Sequence, residues 1–267
     1  MRYITLLTDF GQKDASAAIA KSIVQLRNPD AEVLEITHLA SGKFLTEAAY
    51  LISSSYQEFP AGTCHILYVG VYHSRTPSLV LCEKDGHYFL APNNGVLPLA
   101  LGIDNLALWQ CYEWDDATRT FREWQEKCAS IAAQLAKQKP DRLGFQSFEL
   151  DPIKQKKMPA PVIADNWVDC QILHVAHNGN VVVNMQLEHF ETLRNNRNFR
   201  IDLKGTGNIT ILSQHIGMVN EGEVLCRFNK AGYLEIAING DTAAKLLGFA
   251  TYSEHQQFYS SVKIFFE

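Results

Sequence analysis

Nothing in this chain marks it for a nucleic acid or a membrane. Lys and Arg number 24 against 29 Asp and Glu, a formal net charge of -5, whereas polyanionic partners attract clustered cations. The one short basic run, Lys154 to Lys157, reads as a solvated loop. No apolar run approaches the roughly 20 residues that cross a bilayer. Met1-Arg2-Tyr3 enters a strand directly, without the charged and apolar regions of a signal peptide. Close cysteine pairs are missing too: Cys64, Cys82, Cys111, Cys128, Cys170 and Cys226 lie far apart, without metal-ligand or redox spacing. Several sit in apolar runs, where a free thiol behaves as a small hydrophobe. A cytoplasmic location is therefore expected. There is no phosphate-binding glycine loop, zinc-type His pair or nucleophile elbow, and the nine histidines are scattered. Neither a metal nor a cofactor is expected.

What is present is ordinary globular material, 267 residues of which 46% are hydrophobic, enough for a large core. Tyr3 to Leu7 is a short β-branched strand ending at Thr8-Asp9-Phe10-Gly11. A helix follows from Asp14, with Ala18, Ile19, Ile23 and Leu26 on one face, until Asn28-Pro29-Asp30 stops it. Strand Glu32 to Ile36, helix Leu45 to Tyr56 and strand His65 to Val71 complete the alternation of a mainly parallel α/β sheet. Leu79 to Glu83 and His87 to Ala91 form a hairpin around Lys84-Asp85-Gly86, and Glu123 to Lys137 is helical. Pro140 to Pro161 holds four prolines and reads as a linker. Beyond it come short strands: Asp169 to Val175, Val181 to Met185, Phe199 to Leu203, Thr210 to Leu212, Glu223 to Phe228 and Tyr233 to Ile238. The expected architecture is an α/β domain over residues 1–160, with the linker at its end, and an all-β sandwich or barrel over 161–267.

In an open parallel sheet, ligands bind beyond the carboxyl ends of the strands. Asp9 occupies such an end and Asp14 the start of the next helix. A carboxylate there can accept both hydroxyls of a ribose, or Asp9 shapes the turn and Asp14 caps the helix. Pro92-Asn93-Asn94-Gly95 offers side-chain amides to a polar ligand, though Asn-Gly is also a common turn former. Asn178-Gly179-Asn180 and Asn239-Gly240 carry the same two readings.

Taken in order, these motifs resemble one family, the S-adenosylmethionine hydroxide adenosyltransferases, relatives of the fluorinase and chlorinase. The similarity lies in Thr8-Asp9-Phe10-Gly11 with Asp14 and Lys21, Asn28-Pro29-Asp30-Ala31-Glu32, Ile36-Thr37-His38 and Phe59-Pro60-Ala61-Gly62-Thr63. It continues through Ala91-Pro92-Asn93-Asn94-Gly95, Gly179-Asn180 with Asn184, and Gly232 to Gly240. The resemblance implies attack of water or hydroxide on the ribose C5′ of S-adenosylmethionine, giving adenosine and methionine. It also implies a homotrimer whose sites lie between subunits. Carried over, Asp9 holds the ribose hydroxyls, Asp14 meets the methionine ammonium, Asn94 joins the substrate-binding set, and Asn180 and the Asn239-Gly240 backbone receive the adenine edge.

The chain departs from the family at the water-assisting set of Asp, Arg and His. Tyr68 to Tyr72 lacks the aspartate, Arg75 is the remnant of the arginine, and no histidine occurs between His87 and His174. Arg122 and Glu123 are the nearest polar residues to the missing histidine. His174 to Asn178 holds no carboxylate, and Lys230-Ala231 stands where the halogenating relatives carry Ser-Arg. Two alternatives accompany the hydrolase: an adenosine- or S-adenosylmethionine-binding protein without turnover, and an enzyme acting on another adenosyl compound.

Overall fold

The computed structural model describes residues 3–71, 78–102, 106–112, 120–147, 149, 157–203, 207–246, 248 and 261–267. Arg75, the candidate catalytic arginine, lies outside them, as does most of the basic run at 154–157. The chain divides into two compact units, Met1–Met158 and Pro159–Glu267.

The first unit contains β1 (Tyr3–Thr8), α1 (Ser16–Arg27), β2 (Glu32–Thr37), α2 (Leu45–Ser53), β3 (Cys64–Tyr68), β4 (Leu79–Lys84), β5 (His87–Pro92), α3 (Val96–Leu101), β6 (Ala107–Tyr112), α4 (Phe121–Leu135) and β7 (Gln146–Ser147). The strands form one sheet in the order β2-β1-β3-β5-β4-β6-β7. Its heart, β2-β1-β3-β5, is parallel, and β4, β6 and β7 extend it by antiparallel pairing. The α/β architecture is the one expected. Both faces are covered at the centre, so β1 and β3 are buried almost residue after residue instead of alternating. On one side Ile4, Leu6, Ile66 and Tyr68 pack with Ala20 and Val24 of α1 and with Trp124 and Cys128 of α4. On the other, Leu7, Leu67 and Phe89 pack with Ala48 and Ile52 of α2 and with Val96 and Leu97 of α3. The Asp85-Gly86 turn closes the β4–β5 hairpin with φ of 51° and 78°, the left-handed pair that a two-residue hairpin demands.

The core face of α1 needs correction. Ala20, Ile23 and Val24 are buried, while Ile19 and Leu26 are 47% and 79% exposed. Asn28 sets this rotation: its buried side-chain amide donates to the carbonyls of Val24 and, across the helix pair, Ala129 of α4. Ala20, Ile23 and Val24 then face inward, and Ile19 and Leu26 turn outward.

The second unit contains β8 (Val162–Ile163), β9 (Trp167–Val175), β10 (Val181–Gln186), α5 (Leu187–Arg194), β11 (Phe199–Leu203), β12 (Gly207–Ile209), β13 (Val224–Phe228), β14 (Tyr233–Ile238), α6 (Ala243–Leu246) and β15 (Ser261–Phe266). The sheet runs β12-β11-β15-β9-β10-β14-β13, with β8 beside β9, and it is antiparallel and nearly barrel-shaped. The strand expected at Thr210 to Leu212 is instead Gly207–Ile209; Leu212 makes an isolated bridge to Cys226 of β13. Phe190 of α5 fills the interior with Phe199, Phe228 and Phe266 around it.

All six cysteines are free, and all but the partly covered Cys111 are buried. Burial pushes the thiols of Cys82, Cys111, Cys170 and Cys226 up to about 12.

Candidate functional site

The order β2-β1-β3 places a topological switch at β1, where successive crossovers leave in opposite directions and open a crevice at the carboxyl ends. Three of the segments leaving the parallel strands carry polar side chains there, Asp9 after β1, His38 after β2 and Asn93-Asn94 after β5, and Val69-Gly70 after β3 contributes backbone groups. These segments are tied to one another. Asp9 Oδ2 accepts a 2.8 Å hydrogen bond from the Gly70 amide. Asn94 Nδ2 donates to the Val69 carbonyl at 2.9 Å, and its Oδ1 accepts from the Val96 amide at the start of α3. Gly70 has φ of +67°, and a Cβ there would press on Asn94 Nδ2 and the Gly42 carbonyl, both at 3.1 Å. A Cβ on Gly42 would collide with the Asp9 carboxylate itself. The carboxylate thus sits in a cradle that only glycine at position 42 leaves open. Behind it, Phe10 stacks on Tyr68 at 5.9 Å and meets Phe121 edge-on, which anchors the turn carrying Asp9.

Two polar atoms at this edge are buried without a hydrogen-bond partner among the described residues, His38 Nε2 and Asn93 Oδ1. Buried polar atoms in native folds are nearly always satisfied, so these two stand out. The His38 ring is anchored through Nδ1 to Thr8 Oγ1 at 2.8 Å. Glu35 Oε2 lies 3.6 Å from Nε2, beyond hydrogen-bonding reach, and Glu35 is itself paired with Lys21 at 3.0 Å. The Lys21 hydrogen bond holds the Glu35 carboxyl below its ordinary range.

Asp14 is exposed and accepts from the Ser16 amide at 2.8 Å, the hydrogen bond of a residue that shapes a helix start. That bond lowers its carboxyl. Arg122 pairs with Glu126 at 3.0 Å. Glu123 closes a capping box with Thr120 at the start of α4. Among the described residues no three His, Cys, Asp or Glu side chains gather as a metal group, and no helix is long and apolar enough to cross a membrane.

In the second unit, Asn180 and the Asn239-Gly240 turn come together at one end of β10 and β14. The Gly179 carbonyl accepts from the Ala244 amide. Gly179 has φ of +83°, and a Cβ there would lie 2.7 Å from Thr242 Cβ, so glycine lets the two turns touch. Asn180 is buried and donates through Nδ2 to Glu235 Oε1 at 2.7 Å. The Asn239 backbone is already used against the segment that precedes β13, its amide donating to Glu223 and its carbonyl accepting from Gly222. Its side chain donates to the Val219 carbonyl at 2.8 Å.

Gly42, Gly70, His38, Asn93 and Glu235 were not among the site residues drawn from the sequence. His38 and Asn93 lay inside the motifs noted there, yet only burial distinguishes an open ring nitrogen or amide oxygen from a paired one.

A doubly wound sheet with a cradled carboxylate at its switch point has the geometry with which open α/β sheets receive small polar ligands beyond their strand ends. Residues 4–144 match the SAM hydroxide adenosyltransferase N-terminal domain, and residues 170–256 match the C-terminal domain of the same family. The chain belongs to the SAM hydroxide adenosyltransferase family. It is 27% identical over 257 residues to the (R)-S-adenosyl-L-methionine hydrolase of Salinispora tropica, covering 92% of this chain and 94% of that one. To the protein of the same name from Methanocaldococcus jannaschii it is 21% identical, with 91% of each covered. A crystal structure of a conserved Thermotoga maritima protein shares the fold, with a TM-score of 0.78 and 23% identity over 98% of this chain and 99% of that one.

Proposed function

We propose that this protein hydrolyses S-adenosylmethionine to adenosine and methionine. The reading is carried by the Asp9 carboxylate, fixed at the switch point by the Gly70 amide and left open by Gly42, and it is supported by the names of the relatives. A carboxylate has about four acceptor directions, and a ribose diol can donate to it at the strand end. Asp14 takes the methionine ammonium at the exposed rim. Asn180 and the Gly240 turn take the adenine edge, with Gly240 supplying backbone groups because those of Asn239 are committed. Following the relatives' names, the substrate is the (R) epimer at sulfur.

Chemically, a water oxygen bonds to C5′ as the C5′–S bond breaks. The electron pair goes to sulfur, turning the sulfonium into the thioether of methionine, and the water loses a proton to give adenosine. Sulfur is already positive, so it departs without protonation. Positioning and desolvating the water therefore account for most of the catalysis. Arg75 assists that water, and no metal or cofactor takes part. The protein works as a homotrimer in the cytoplasm, an expectation that follows the family resemblance; light scattering checks the assembly.

The test is incubation of the pure protein with S-adenosylmethionine, following adenosine and methionine by chromatography, with Asp9→Ala beside it. Adenosine formation that requires Asp9 supports the hydrolase. Adenosine binding without turnover favours a binding protein, to which the absence of aspartate from Tyr68 to Tyr72 points. Binding of adenosine but not of S-adenosylmethionine redirects the reading to another adenosyl compound.

A further inference from the structure

Within the second unit, β14 pairs antiparallel with β10 and β13, with Val182 opposite Glu235 on one side and Arg227 opposite Glu235 on the other. One oxygen, Glu235 Oε1, accepts three hydrogen bonds: 2.7 Å from Asn180 Nδ2, and 2.9 and 3.2 Å from Arg227 Nη2 and Nε. Asn180 and Glu235 are 4% and 7% exposed, so a mismatch between them would meet little water. Side-chain amides can in general be turned either way, but this one cannot. A carboxylate held by a guanidinium only accepts, so the NH2 of Asn180 must face it. Turning the amide over would set a carbonyl oxygen against the carboxylate in a buried place, at the cost of an unmade charged hydrogen bond. Asn180 therefore carries its Oδ1, an acceptor only, on the side away from Glu235.

We infer that Glu235 is a specificity-determining positioning residue: by locking the Asn180 amide it makes the site accept a 6-amino purine and refuse a 6-oxo purine. The inference rests on the reading above, in which Asn180 meets the adenine edge. A 6-amino group donates to Oδ1, whereas a 6-oxo group would place two acceptors face to face. Loss of one buried hydrogen bond together with that opposition separates the two bases by about 10- to 100-fold.

The experiment measures affinities of the full-length protein for adenosine and inosine by calorimetry, in the wild type and in Glu235→Gln, Glu235→Met and Asn180→Ala. Wild type is expected to favour adenosine by at least about tenfold. In Glu235→Gln the neighbouring group can donate as well as accept, so the Asn180 amide can turn. The preference should fall toward unity mainly because inosine binds better, a gain that simple loosening of the fold cannot produce. Glu235→Met removes the acceptor and should level the two nucleosides even if the Gln variant does not fold. An unchanged preference in the Glu235 variants, or equal weakening of both nucleosides, would overturn the role of Glu235 while Asn180→Ala still abolished the preference. If wild type bound neither nucleoside, or Asn180→Ala bound both as wild type does, the assignment of Asn180 to adenine would itself fall, and this inference with it.

Discussion

Strand β1 carries two threonine–histidine pairs, one toward each end of the sheet, and their fates differ. Toward the amino end, Thr5 Oγ1 bonds His65 Nδ1 at 2.7 Å, and His65 Nε2 continues to His87 Nδ1 at 3.1 Å. Tyr56, Phe59 and Phe89 wall in the His65 ring, and Tyr56 donates to Asp85 at 2.8 Å. Burial holds the His65 ring neutral down to about 3 and lowers His87 as well. At the carboxyl end, Thr8 and His38 repeat the first bond, but the chain of partners stops at an open Nε2. A closed network specifies a fold; an open one at a strand end leaves hydrogen-bonding capacity for a ligand. Both ends begin with the same threonine–histidine pair, so the distinction lies in whether the second ring nitrogen has a hydrogen-bond partner.

The sharpest test of that contrast is Asp9→Ala. It should weaken adenosine binding at least 100-fold by calorimetry, since charge-assisted hydrogen bonds to the ribose are lost, while stability falls by only about 1 kcal/mol from the unanswered Gly70 amide. Unchanged affinity would remove Asp9 from the site.

Acid should attack the opposite end. The unfolded His65 titrates near 6.5 and the folded one near 3, so the unfolded chain binds the extra proton first. Stability from this ring is complete above pH 6.5 and declines as pH falls below it, by about 1.4 kcal/mol per unit, or about 2 kcal/mol at pH 5. Urea melts at pH 7 and 5 check this, and His65→Gln should flatten the decline. A wild-type slope in that variant would place the acid sensitivity elsewhere.

A tenfold loss of adenosine affinity is expected for Gly42→Ala, whose added methyl displaces the Asp9 carboxylate without straining the backbone. Retained affinity would show that the cradle has slack. The smallest effect expected here is that of His38→Leu, read in folding alone. Thr8 Oγ1 still accepts from the Phe10 amide at 3.4 Å, so the variant should lose about 1 kcal/mol, less than His65→Leu, which strands both Thr5 and His87. Thermal melts of the pair rank them, and the reverse order would dissolve the contrast between the two ends.

Much of this was legible in the chain. The hairpin at Asp85-Gly86 and the carboxylate directly after the first strand follow from short-range rules of turn chemistry and topology. The family motifs picked out Asn180 and the Asn239-Gly240 turn of the second unit. What stayed hidden depends on residues distant in sequence. The rotation of α1 is set by Asn28 reaching Ala129, and no periodicity within Ser16–Arg27 reports that. The last strand, β15, buries Val262, Ile264 and Phe266 while Ser261 and Lys263 face out, yet it pairs with β9 and β11, far earlier in the chain. Gly42 is an unremarked glycine until the fold brings it against Asp9, and Glu235 looks like an ordinary strand residue until Arg227 and Asn180 converge on it.

The buried thiols have a practical consequence for spectroscopy. A thiol titrating near 12 exposes roughly one thiolate in 100,000 at neutral pH, and only thiolates react quickly with maleimides. The native cysteines described here should therefore remain unlabelled. A cysteine introduced at the exposed Leu26 or Ile211 would take a fluorophore alone, so each unit can be tagged separately in the otherwise unaltered chain.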